Sequence, residues 1–141
     1  MSFMKHNLDR FVQAQSGTYI AALSEISRGK KSSHWMWFVF PQLAGLGKSE
    51  IAQHYAISSL DEARAYLDHP VLGGHYLECV TALQDLAISD PKAVLGSVDA
   101  IKLHSSLTLF AEAAPQQQLF AAALNRWFGG IRDKLTLEFL R

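Results

Sequence analysis

Three polar residues lie in line on the side of a helix that should be apolar. Over residues 97–112, at about 100° per residue, Leu103, Leu107, Leu109 and Phe110 define an apolar face. Asp99, Lys102 and Ser106, at i, i+3 and i+7, project onto its middle. An ion withdrawn from water without a partner costs several kcal/mol, so these groups need counter-charges or a wet cavity. Two readings stand open. One is an i,i+3 Asp99–Lys102 pair at a partly exposed helix start. The other is a ligand-facing trio in which Lys102 and Ser106 hold an anionic group and Asp99 does acid–base work. His104 and Thr108 fall on the opposite face, which is expected to be solvated.

The second concentration of chemistry is His34-Trp35-Met36-Trp37-Phe38-Val39-Phe40-Pro41-Gln42, an aromatic run with an imidazole at one end and an amide at the other. Aromatic walls with few polar groups describe both a small-ligand pocket and an ordinary core. In the pocket reading, Trp35 or Trp37 stacks on a planar ring, Gln42 supplies a hydrogen bond, and His34 joins Asp99 and Glu50 as candidate acid–base groups. Gly45-Leu46-Gly47-Lys48-Ser49 ends like a phosphate loop, but the first glycine of that pattern would fall at Gln42, which argues against nucleotide hydrolysis. Backbone amides near Ser49 can still hold one phosphate. His6, His34, His54, His69, His75 and His104 show no i,i+3 or i,i+4 pairing, so no metal is expected. Cys79, the single cysteine, lies beside a buried stripe where thiols are inert, and Lys30-Lys31 reads as a solvated loop.

These groups must be positioned by helices. Leu8, Phe11, Val12, Gln15, Tyr19, Ala22, Leu23 and Ile26 recur at helical spacing, with Asn7 as N-cap and Gly29 as stop. The aromatic run has no partner strand elsewhere, which favours a short buried helix ended by Pro41. Ser49 can cap a helix to about Ile57, and Ser59-Leu60-Asp61-Glu62 has the capping-box pattern. A stripe from Leu72 to Ala87 follows, with Gly73-Gly74 weakening its start. Asp90-Pro91 opens a turn closed by Gly96, Ser97 opens the helix carrying the polar trio, Pro115 begins the last long helix, and Asp133 can cap a short C-terminal segment carrying Leu137 and Leu140. The fold class expected is all-α over residues 1–141 as a single domain. Six to eight helices should enclose one core of Phe11, Tyr19, Leu23, Phe38, Leu77, Val80, Leu103, Phe110, Leu124 and Phe128.

Composition narrows the function classes. The 141 residues are 49% hydrophobic and 18% charged, as in a folded globular chain. Thirteen Lys+Arg balance thirteen Asp+Glu, so no general field collects nucleic acid or an anionic membrane. The N-terminus lacks the apolar region of a secretory leader, and the longest apolar run, Trp35 to Pro41, is far short of the roughly 20 residues that span a bilayer. A cytoplasmic protein is expected, with no nucleic-acid or membrane partner, and oligomeric state is left open.

The order Phe11, Ala14-Gln15, Lys31, His34 to Gln42, Gly45-Leu46-Gly47, Tyr55, Glu62-Ala63, Tyr66-Leu67, Leu72-Gly73, Asp99, Lys102, Ser106, Asp133 and Thr136-Leu137 resembles the bacterial family catalogued as domain of unknown function 1810. The resemblance covers nearly the whole chain. It implies a mainly helical single domain and no assigned activity or cofactor. Phe40-Pro41, Gly47, Ser49-Glu50 and Tyr55 are much more faintly similar to the NADAR superfamily, tied to ADP-ribose and N-glycoside chemistry. Where that superfamily has tryptophan-glycine and asparagine-leucine-glycine elements, this chain has Trp127-Phe128-Gly129-Gly130 and Asp133-Lys134-Leu135-Thr136. Two functions stand side by side: a pocket, or an enzyme, for a small anionic or nucleotide-like metabolite, phosphorylated or resembling ADP-ribose; and a non-catalytic helical interaction module. The first requires one wet cavity shared by His34, Gln42 and Lys102; the second does not.

Overall fold

The long amphipathic stretch at the start of the chain is broken in two. In the computed structural model, which describes residues 6–141, helix α1 spans Asp9–Ser16 and helix α2 spans Tyr19–Arg28. Thr18 causes the break. Its hydroxyl donates to Ala14 O at 2.6 Å, taking the carbonyl its own amide would use in a continuous helix, and that amide turns to Gln15 O at 3.1 Å. Asn7 does not cap α1; the N-cap position is Leu8, without a side-chain bond. Gly29 ends α2 in the left-handed conformation, as its placement suggested.

Eight further helices follow: α3 (Met36–Val39), α4 (Glu50–His54), α5 (Leu60–Asp68), α6 (Leu72–Gln84), α7 (Pro91–Leu95), α8 (Ser97–Ala113), α9 (Gln118–Phe128) and α10 (Lys134–Phe139). The described residues contain no strand, only an isolated parallel bridge between Leu43 and Ile57, so the fold is all-α. The described residues contain ten helices rather than six to eight, because the first divides and the segments after Asp90 and Asp133 are helical. Serine and aspartate caps act as their positions suggested: Ser49, Ser59, Asp90 and Asp133 accept from Ala52, Glu62, Lys92 and Thr136 amides. The capping box at Ser59 is shifted by one residue, since Glu62 Oε1 accepts from the Ser58 amide at 2.7 Å. Glu62 is thereby also turned towards Arg10 of α1, with Nη2 at 3.4 Å. Helix α6 ends at Gln84, short of Ala87, and α9 begins at Gln118, past Pro115.

Helix α8 is the central element and packs against α5, α7, α9 and α10. It is buried nearly all round from Leu103 onward, so the expected solvated face is absent. Thr108 is fully buried, its hydroxyl donating to His104 O and accepting from the Asp133 amide, both at 2.8 Å. His104 stacks on Phe128 with ring centroids 4.3 Å apart. A helix surrounded on all sides carries little amphipathic signal, which is why its outer face was misassigned from periodicity. Gly73 on α6 is required by packing: a Cβ there would meet Leu67 O of α5 at 2.0 Å. Phe11, Tyr19, Phe38, Val80, Leu103, Phe110 and Leu124 belong to one core, and Leu23, Leu77 and Phe128 pack on it partly buried. Among the described residues no helix is long and apolar enough to cross a membrane. The N-terminal reading rests in part on residues 1–5, outside the described residues.

Candidate functional site

Helix α3 is delivered to the core by a buried carboxylate. Glu25, on the last turns of α2, is 5% exposed and accepts four hydrogen bonds, from the Ser32 and Ser33 amides at 2.8 and 3.0 Å, Ser33 Oγ at 2.6 Å and Trp35 Nε1 at 2.8 Å. Burial alone would push its pKa up. The donors of Ser33, Ser32 and Trp35 outweigh it and hold the carboxyl down at about 2. A second knot lies behind α3. Gln15 Nε2 donates to Phe38 O at 2.8 Å and to Tyr66 Oη at 3.0 Å, which leaves Oε1 facing His75 Nδ1 at 2.7 Å. With the amide so oriented, the His75 proton sits on Nδ1. Its ring stacks on Tyr19 at 3.5 Å, and burial lowers its pKa, with Glu78 opposing.

These knots divide the sequence candidates into two groups. Trp35 is 1% exposed with its indole N–H spent on Glu25, so it is core. Ser106 is fully buried and bonded to Tyr76 Oη at 2.8 Å, facing α6 rather than a ligand. Ser49 Oγ is occupied by its own helix cap, and Glu50 is exposed beside it. His34 is exposed, 6.5 Å from the Trp37 ring.

What does converge is Lys31, Trp37, Gln42, Asp99 and Lys102. Asp99 Oδ2 lies 2.9 Å from Lys31 Nζ, and its Oδ1 lies 3.8 Å from Lys102 Nζ. Lys31 is therefore not a solvated loop residue; its side chain is 11% exposed and its ammonium stands 5.2 Å from the Trp35 ring centre. Lys102 stands equally far from Trp37, at 5.2 Å. Asp99 thus spends its short contact on Lys31. Lys102 lies outside hydrogen-bond distance of Asp99 and keeps donors to spare.

Lys102 also borders a cavity of about 10 Å³, shared with Trp37, Gln42, Gly47, Ala52 and Tyr55 and large enough for one water. His34 does not line it, so of the three residues expected to share one cavity only Gln42 and Lys102 do. Ser105, which sequence reasoning passed over for Ser106, sets its chemistry. Ser105 Oγ donates to Lys102 O at 3.1 Å, so towards Gln42 it can only accept, from Nε2 at 2.7 Å. The amide is thereby fixed with Oε1 turned away from Ser105, and among the described residues Oε1 accepts no hydrogen bond. A donor at Lys102 and an acceptor at Gln42 face one space. Lys31, Tyr55 and Ser105 are the participants missed in the sequence. Lys31 and Tyr55 stood in the family pattern without a role, and Ser105 had only its i,i+3 spacing to Lys102. No group of three or more His, Cys, Asp or Glu among the described residues is arranged to hold a metal.

A family described as protein of unknown function (DUF1810) matches residues 5–140. The chain belongs to the DUF1810 family. Among solved structures, the conserved hypothetical protein Rv1873 of Mycobacterium tuberculosis is 45% identical over 95% of this chain and 96% of that one, with a TM-score of 0.93. None of the curated proteins matches. Similarity to the NADAR superfamily is not shown by these matches. Within the DUF1810 pattern quoted above, Gln15, Trp35, Tyr66, Ser106, Asp133 and Thr136 hold the fold together, whereas Trp37, Gln42 and Lys102 meet at the cavity.

Proposed function

We propose that this protein binds a small anionic metabolite, phosphorylated or ADP-ribose-like, with Lys102 as the anion-holding group and Trp37 and Gln42 beside it. The observation that carries the reading is the unequal sharing of Asp99. One carboxylate balances one of two ammoniums, at 2.9 Å, and leaves the other at 3.8 Å on the rim of a polar cavity. A compact site of this kind provides local attraction in a protein of zero formal net charge. Asp99, clamped between two cations, serves as a spacer rather than as the acid–base group. His34 and Glu50 stand outside the cavity, so the reading is one of binding, not of catalysis. A single domain in the cytoplasm of a bacterial cell suits a small-metabolite binder with one buried cysteine, and neither nucleic acid nor membrane is invoked as a partner.

The test is thermal stabilisation by pyrophosphate and by ADP-ribose. Both should raise Tm in the wild type by mass action, and Lys102→Ala should remove the shift. Lys134→Ala, on exposed α10, should keep it. An unchanged shift in Lys102→Ala, or no shift with either compound, refutes the reading. The interaction-module alternative draws on Val98 and Ile101, both 66% exposed on the first turns of α8.

A further inference from the structure

The cavity beside Lys102 is roofed by a loop whose parts are tied to the body unequally. Residues 43–57 leave and rejoin the core at one point, where Ile57 N–H donates to Gln42 O and Ala44 N–H to Ile57 O, both at 2.8 Å. This is the neck of an Ω-loop. Its returning leg is clamped to the body: Arg10 Nε donates to His54 O and Nη2 to Ala56 O, both at 2.9 Å, and Tyr55 packs on Phe11 and Phe38 at 5.8 and 5.3 Å. The rest is held differently. Leu46 packs partly buried on the core, but helix α4 contributes no buried side chain, and Gln53 Nε2 bonds within the loop, to Lys48 O at 2.9 Å. The loop closes on itself where a Cβ on Gly47 would lie 2.5 Å from that of Ala52, and it turns at Gly45, φ 99°, against Phe139.

Beneath this roof the floor and walls are Met36, Trp37, Phe40 and Tyr55, flat or apolar, with two polar groups of opposite hydrogen-bonding sense: the Lys102 ammonium, a donor, and Gln42 Oε1, an acceptor fixed by Ser105. At about 10 Å³ the closed space takes a water and no ring. We infer that residues 44–53 form a lid, hinged at Ala44 beside the Leu43/Ile57 neck and at the clamped His54, that opens to admit a flat ring whose edge carries a carbonyl beside an N–H, a lactam or carboxamide. The carbonyl accepts from Lys102 and the N–H donates to Gln42 Oε1. The ring faces lie against the aromatic walls. The inference rests on the anion-binding reading for the attached phosphate and adds the identity of the part buried under the lid.

The probes are uracil and nicotinamide, with pyridine as a ring lacking the edge, titrated into the full chain by NMR. Free protein should show microsecond-to-millisecond exchange at residues 44–53 but not at 54–57 or in α8. Either lactam-type probe should suppress that exchange and shift the Gln42 side-chain amide; pyridine should do neither. Gln42→Met should weaken uracil by about tenfold or more, as for a lost hydrogen bond to a buried partner. Gly47→Ala, which forces the two legs of the lid apart at Ala52 and so distorts the lid from within, should weaken uracil and shift the resonances of residues 44–53 together. Exchange spread evenly over 44–57, or a Gly47→Ala spectrum changed only at its immediate neighbours, overturns the lid. A mobile lid with no response to either probe overturns the ring slot. Loss of pyrophosphate binding alone would strike the anion reading and not this one.

Discussion

Two carboxylates, Glu25 and Asp99, flank the aromatic segment, and they are satisfied in opposite ways. Glu25 is buried and takes four hydrogen bonds from neutral donors, with no ion pair among the described residues. Asp99 is partly exposed and is answered by two ammoniums at unequal distance. A carboxylate whose acceptor positions are filled by backbone, hydroxyl and indole has nothing left for a ligand, and its role is to shape the chain. A carboxylate that divides its attraction between two lysines leaves one of them underused. Structure is made where the polar accounting closes, and binding is available where it stays open.

The sharpest way to break this contrast is to delete Glu25. Glu25→Ala strands the Ser32 and Ser33 amides, the Ser33 hydroxyl and the Trp35 indole N–H in or near the core, and should cost about 3 to 5 kcal/mol of unfolding free energy in urea. Cost below about 1 kcal/mol would place Glu25 in the same class as Asp99. Acid should act through the same residue. The Glu25 pKa is about 2 folded against 4.5 ordinarily, so its contribution is fully present above pH 4.5 and is lost as pH falls through 2. The loss should approach about 3 kcal/mol, and Glu25→Gln should flatten that part of the pH–stability profile. Trp35→Phe, which removes a single donor from Glu25, should cost about 1 to 2 kcal/mol. The smallest stability effect belongs to the other carboxylate. Lys31→Met should change stability by less than about 1 kcal/mol, yet weaken pyrophosphate binding several-fold, because Lys102 becomes the sole partner of Asp99. A large stability loss with unaltered pyrophosphate affinity would reverse the roles assigned to the two lysines.

Many local signals in the sequence match the structure, although Asn7 forms no cap and Pro115 does not open α9. Serine and aspartate caps, the short helix ended by Pro41 and the left-handed stop at Gly29 depend on a few neighbouring residues, and each is visible as a residue type in its place. The break at Thr18 is local too, but it depends on a hydroxyl choosing Ala14 O over solvent, which spacing does not reveal. The outer face of α8 was hidden for another reason: helices distant in sequence cover it, so periodicity found no solvent side to report. In the candidate site, the pairing of Asp99 with Lys102 follows from i,i+3 spacing. Lys31, 68 positions from Asp99, and Ser105, whose role is to fix an amide arriving from Gln42, belong to tertiary geometry alone.

The pinched neck at Leu43 and Ile57 has a consequence for how such a chain can vary. Because both ends of the segment meet at one bridge, its length is not dictated by the distance it must span. Closing a loop twice as long costs only about 0.6 kcal/mol more. The helices outside the loop can therefore stay as they are while the span between Ala44 and Ala56, α4 included, is lengthened, shortened or replaced, which makes this part of the molecule an exchangeable cassette on a fixed chassis.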